Sequence, residues 1–264
     1  ASEHRLKVYP AERINCTAVT ERDPAGMVRP DVFASIVPQR PGVLLRMKPE
    51  NSKAPAPWTV VDSKVSYEDR WLKVRSDTCL TETGTLITPY HVLDYPDWVS
   101  VLPVMADGTI MLVREYRHGA ARLMTGLVSG TVEAHEEMAG ADASFEAAVR
   151  ELREETGYAA DTLVKTLVSY PNSARQPNRV SNYIGFGLTL EGAPAFDPGE
   201  NISLEFASLP EVLQAVRSGE NVMQSMHVAA LFSAADWILR TPVDHPGAEA
   251  LRNALLENAC PRIP

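Results

Sequence analysis

Cysteine is scarce in this chain: there are three in 264 residues, Cys16, Cys79 and Cys260, far apart and without CxxC spacing. That excludes a disulfide-built framework, leaves at least one thiol outside any intrachain pair, and makes a reducing cytoplasm the expected compartment. Long apolar runs are missing as well. None approaches the roughly 18 residues that cross a bilayer, and the opening ASEHRLKVYP has no signal-peptide core, so the expectation is a soluble protein without a membrane partner. Positive charge is in deficit: 34 acidic residues against 25 Lys and Arg give a net charge of −9. Such a balance opposes attraction to nucleic-acid backbones and anionic membranes. A polyanionic substrate therefore needs metal cations or a local basic cluster.

A hydrophobic content of 45% is ordinary for a globular protein, and the length suits one large domain with an appendage or two modest ones. Residues 1–57 are rich in proline and short of periodicity, and close on NSKAPAPW; they read as an arm and linker with no assignable chemistry. From residue 58 the runs WTVVDSKVSYED, RWLKVRSDTCLT and TLITPYHVL suggest a small antiparallel meander over 58–97. DWVSVLPVM and TIMLVREYR then flank ADG, a hairpin signal. A helix over 144–156 follows, then strands near TLVSYP and NYIGFGLTL, and helical patterns in LPEVLQAVRSG and MHVAALFSAADWILR. The mixture predicts an α/β sandwich on a mixed sheet over 98–241, preceded by the small β appendage, with 242–264 as a C-terminal tail.

The most informative stretch is RELREETGYA, residues 150–159. With Glu151 at zero on a helical wheel, Glu155 falls near about 40° and Glu154 near about −60°, so three carboxylates share one sector. Phe145, Ala148, Val149 and Leu152 form an adjoining apolar stripe, which puts the acids at the rim of whatever that stripe packs on. Gly157 suits the left-handed position that ends a helix. A solvated face with an Arg150–Glu154 pair is one account of these acids. Glu151, however, meets like charge at both i+3 and i+4, which a divalent cation would relieve; oxygen ligands without His or Cys select Mg²⁺ or Mn²⁺.

Arg150-Glu151-Leu152-x-Glu154-Glu155-x-Gly157-Tyr158, preceded by Gly130-x5-Glu136, resembles the signature of the Nudix hydrolases, in which a loop, helix and loop bind divalent metals and water cleaves a diphosphate linked to a moiety X. The two halves stand about six residues further apart than the family pattern, with EMAGAD as the apparent insertion. The first-loop acid is therefore either Glu136 or, counting back from Arg150, Asp142. The likeness extends over residues 58–240: DWVSVLPVMADGTIMLVREYRHG, with Tyr116 and Arg117, is similar to ADP-ribose pyrophosphatase-type members, as are SYPNSARQPNRVSNY and DPGENISLEFASLPEVLQAVRSGE. Where relatives often read Glu-Leu-Pro-x-Gly, this chain has GLVSG, Gly126 to Gly130, which implies an altered substrate pocket.

The resemblance implies that Glu151, Glu154 and Glu155, with the Ser129 carbonyl and Glu136, hold Mg²⁺ or Mn²⁺. Glu154, Arg150 and Glu200 are its catalytic residues: Arg150 orients the carboxylates, and Glu200, with Asp197 second, activates water or holds a further metal. Arg117 reads equally as a phosphate contact and as a brace. Asn172 and Arg179 are candidates for the distal half of the substrate, against a plain surface loop. His118 and His135 lack partners at metal-ligand spacing and are expected to face solvent; Tyr158 and Tyr170 are expected in the core. The substrate is then a small-molecule diphosphate, with ADP-ribose or an ADP-sugar leading. An isoprenoid diphosphate, a specialised biosynthetic nucleotide and a non-catalytic nucleotide-binding module are the alternatives. The β appendage resembles the element with which related pyrophosphatases make swapped homodimers.

Overall fold

Thr59–Glu68 (β1), Lys73–Leu80 (β2) and Leu86–Asp94 (β3) pair antiparallel in the order β1-β2-β3. They belong to a computed structural model that describes residues 55–138, 142–196 and 199–259. The 1–57 arm thus falls almost wholly outside the described residues, as do positions 139–141 of the apparent insertion and Asp197.

The remaining strands form two sheets. Trp98–Pro103 (β4) is central to a mixed sheet of order β7-β4-β9-β8, flanked by Val128–Thr131 (β7) and, in parallel, by Val180–Leu190 (β9), which pairs with Tyr158–Ser169 (β8). Ile110–Arg117 (β5), Arg122–Gly126 (β6) and Ser203–Ala207 (β10) make an antiparallel sheet of order β10-β5-β6. The ADG turn forms with Gly108 N–H donating to Met105 O at 3.0 Å. Beyond the single bridge Val104–Ile110, however, β4 and β5 part into different sheets. The chain is thus the expected α/β sandwich on a mixed sheet.

Period-two alternation divides the core. Val99 and Val101 of β4 join Val128, Ala147, Ala148 and Leu152 under Ala143–Thr156 (α2). Leu102, Ile184 and Phe186 face the opposite way, toward Leu209–Ser218 (α3), Ser225–Arg240 (α4) and Pro246–Ala259 (α5). The last helix corrects the expectation of a tail: Ala248, Leu251 and Leu255, spaced for one helical face, are buried in this cluster. A short helix, Ala134–Met138 (α1), precedes α2.

Candidate active site

Helix α2 ends where Gly157 turns left-handed, at φ 76°, and returns its N–H to Arg153 O. Its buried residues are Ala147, Ala148, Leu152, Glu155 and Thr156. The expected stripe was turned too far from the acids: Phe145 and Val149 are 38% and 40% exposed. Two small residues, Ala147 and Ala148, let the helix sit close to the sheet, and this draws the acids inward instead of leaving them at the rim. Glu155 is only 5% exposed and its Oε2 accepts from Ser129 N–H at 3.3 Å. The Glu151 carboxylate lies on Gly130, so close that a Cβ there would stand 1.9 Å from Oε1. Glu154 remains 44% exposed.

Arg150 ties these groups together. Nη1 donates to Glu151 at 2.7 Å and to Glu154 at 2.9 Å, Nε to Glu136 at 2.9 Å, and Nη2 to Thr131 O at 2.8 Å. Burial alone would lower its pKa, but these carboxylates raise it well above the ordinary value. Of the two possible first-loop acids, Glu136 is therefore the one beside the α2 cluster. Both its oxygens are engaged, Oε1 by Arg150 Nε and Oε2 by Glu133 N–H at 2.7 Å. Asp142 is bonded to Lys165 at 2.6 Å and to the Ser144 hydroxyl at 2.7 Å.

The electrostatics are those of acids short of positive charge. Burial pushes the Glu155 carboxyl up to about 9, with the charges of Glu151, Glu115 and Glu200 adding to it. Burial also raises Glu151 to about 7, against Arg150 and with Glu154 and Glu200. Glu200 is thus brought into the cluster. Glu115, which the sequence reading missed, joins it: burial raises its pKa, Arg117 opposes, and Glu200 adds. Its signal was the alternation of β5, which sets Glu115 and Arg117 on one face; Arg117 Nη2 lies 2.5 Å from Glu115 Oε1.

Beside these acids opens a cleft of about 500 Å³ whose walls include Glu115, Arg117, His118, Gly126, Gln224 and His227. His118 is exposed, as expected, but borders this cleft. His135 is also exposed and meets Glu133 at 3.1 Å. Tyr158 is half-buried, whereas Tyr170, expected in the core, is 58% exposed at the end of β8. Arg179 is committed to Asp97 at 3.0 Å, bracing the start of β9 against the start of β4. Asn172 is exposed in a turn whose Arg175 carbonyl accepts from Leu93 N–H of β3 at 2.8 Å.

Among the described residues no three His, Cys, Asp or Glu side chains converge tightly enough to hold an ion as they stand; Arg150 bonds Glu151 and Glu154. The donor chemistry nevertheless fits a hard divalent cation. It is all oxygen, and the carboxyls of Glu151 and Glu155 are held above their ordinary range first by burial and then by neighbouring acids, whose repulsion such a cation offsets.

Residues 58–93 match the nucleoside diphosphate sugar hydrolase N-terminal domain, and residues 94–226 match the NUDIX domain. The chain belongs to the Nudix family. Over 131 residues it is 29% identical to the ADP-ribose pyrophosphatase of Bacillus subtilis (strain 168), covering 49% of this chain and 68% of that protein. With the methanol dehydrogenase activator of Bacillus methanolicus it shares 27% over 153 residues, covering 57% and 78%. The fold is similar to that of a crystal structure of ADP compounds hydrolase, with a TM-score of 0.61 at 21% identity, covering 71% of this chain and 97% of that one. The protein is thus a Nudix-type diphosphate hydrolase of the ADP-ribose pyrophosphatase-like group. Nudix hydrolases generally use divalent cations, and their substrates are small-molecule diphosphates.

Proposed function

We propose that this Nudix enzyme hydrolyses a nucleoside diphosphate linked to X, with ADP-ribose or an ADP-sugar as substrate and Mg²⁺, replaceable by Mn²⁺, as the ion. The observation that carries the reading is the pair of carboxylates, half-buried Glu151 and buried Glu155, seated on Gly130 and Ser129 of β7 beside an open cleft with Arg117 in its wall. Glu151, Glu154 and Glu155, with the Ser129 carbonyl, would hold the cation. When bound, it supplies the positive charge that offsets the diphosphate's own. Arg150, anchored on Glu136, fixes Glu151 and Glu154 in place. Arg117 offers charge to a phosphate. Glu200 takes the proton of the attacking water, which adds across the P–O–P bridge to give a nucleoside monophosphate and X-phosphate.

The test is phosphomonoester release with Mg²⁺ from ADP-ribose, ADP-glucose, NADH, GDP-mannose and prenyl diphosphates. Preference for the ADP-sugars is expected. Release from a prenyl diphosphate alone would overturn the substrate, and no release from any would overturn the reading.

A cytoplasmic homodimer is part of the same proposal. No helix among the described residues is long and apolar enough to cross a membrane. The meander exposes Val61, Tyr67 and Trp71 at 60%, 53% and 67%, an apolar surface suited to a second copy. Light scattering at twice the chain mass of 28.9 kDa would support it.

A further inference from the structure

Along one face of β5 the chain passes from core to open cleft. Met111 and Val113 are buried, the Glu115 side chain is 16% exposed, and that of Arg117 is 41% exposed. Glu115 and Arg117 both line the cleft. So does Met124, which pairs with Glu115 across β6 and therefore shares its face.

The residue directly across the ladder from Arg117 is another arginine, Arg122. Like charges opposite one another on one face of a sheet repel, so a guanidinium there needs a counter-charge to keep its place. Glu115 is that counter-charge, with Oε1 2.5 Å from Arg117 Nη2. Taken alone, a carboxylate is a poor choice for the wall of a cleft that admits a polyanion. It repels the ligand, and it stands in the field of two further acids, Glu155 and Glu200. Its presence there is accounted for by what it does to Arg117. One guanidinium nitrogen is held by Glu115, and the group has five N–H donors in a rigid fork, so fixing one end aims the others.

Resting on the reading that Arg117 meets the diphosphate in this cleft, we propose that Glu115 is a positioning residue, which holds the Arg117 guanidinium in the cleft wall against the repulsion of Arg122. Its effect on an anionic ligand then has two parts of opposite sign. Through Arg117 it favours binding, and by its own charge it opposes binding. The first part exceeds the second only while Arg117 is present, so removing Glu115 should weaken binding in the wild type and strengthen it once Arg117 has been removed.

The experiment is a double-mutant cycle on the full chain, read by calorimetry with α,β-methylene ADP-ribose and Mg²⁺ and by turnover of ADP-ribose. Glu115→Ala should raise the Kd of the analogue and the KM of the substrate about tenfold, with a smaller fall in kcat. Glu115→Gln, whose amide oxygen still accepts from Nη2, should raise both by less. In an Arg117→Ala background, adding Glu115→Ala should tighten the analogue by about two- to fivefold, since a bare negative charge leaves the cleft. Mn²⁺ affinity without substrate, read by paramagnetic resonance, should stay within about twofold in Glu115→Ala. A residue that merely braces the fold predicts the same loss in both backgrounds, and a ligand of the ion predicts weakened Mn²⁺ binding in both. Either result overturns the assignment and leaves the hydrolase reading intact. If Arg117→Ala binds the analogue as the wild type does, the phosphate contact fails and the proposal with it; absence of both binding and turnover in the wild type overturns the substrate as well.

Discussion

The carboxylate of Glu151 rests on the α-carbon of Gly130, at a separation that leaves no room for even a methyl group: a Cβ would come within 2.0 Å of its carboxyl carbon. One residue of β7 thereby sets where an acid of the helix can stand. Gly130→Ala should displace Glu151 without unfolding the sandwich. Loss of about 100-fold or more in kcat is expected, as for removing one preorganised electrostatic element. Mn²⁺ affinity, read by paramagnetic resonance, should weaken in parallel; unchanged affinity would separate Glu151 from the ion.

The acids also predict how the metal-free protein responds to alkali. Glu155, raised to about 9, and Glu151, raised to about 7, hold protons in the fold that the unfolded chain releases near its ordinary value of 4.5. Their contribution to stability is therefore fully present below about 4.5 and is lost as pH rises through about 7 and 9. Chemical denaturation in chelator should show stability falling across that window, by at most about 1.4 kcal/mol per pH unit for each group. Glu155→Gln, which resembles the protonated acid, should flatten the upper part of the fall, and added Mg²⁺ should offset it.

His227 acts in the opposite sense. Its pKa is depressed to about 3 in the fold against 6.5 in the unfolded chain, so between these values the unfolded state binds more protons. Stability that is present above 6.5 is lost as pH falls toward 3, again by at most about 1.4 kcal/mol per unit. Denaturation curves from pH 7 to 4 should show a shallower loss in His227→Phe than in the wild type. Equal slopes would mean that the imidazole protonates within the fold.

Legibility in the sequence followed range of interaction. Glu151, Glu154 and Glu155 are local to one helix, where spacing alone puts them in one sector, and the sandwich was readable from strand alternation and helix periodicity. The face of α2 was misjudged because Phe145 and Val149 are apolar, yet the small Ala147 and Ala148 are what fit against the sheet. Helix α5 was taken for a tail because its apolar positions are sparse, Ala248, Leu251 and Leu255, and gain meaning only against Phe186 and its neighbours. His227 gave no signal in α4 itself: its partners, Gly126 and Leu127, are about a hundred residues away and meet it only in the folded chain.

The insertion between the two halves of the motif makes a further contrast testable. Glu136 is 3% exposed and bonded to Arg150 Nε, whereas Asp142 sits before α2 with a side chain 55% exposed, paired to Lys165. Glu136→Gln leaves a neutral amide facing the guanidinium that orients Glu151 and Glu154. It should lower kcat by about 10- to 100-fold while leaving Mn²⁺ bound, because the α2 acids remain. Asp142→Asn loses a largely exposed ion pair and should cost no more than about 1 kcal/mol of stability, with kcat unchanged. The two variants together assign the first-loop acid. If Asp142→Asn abolished turnover and Glu136→Gln did not, the family register would run back from Arg150, and the Glu136–Arg150 bond would be a brace of the fold alone.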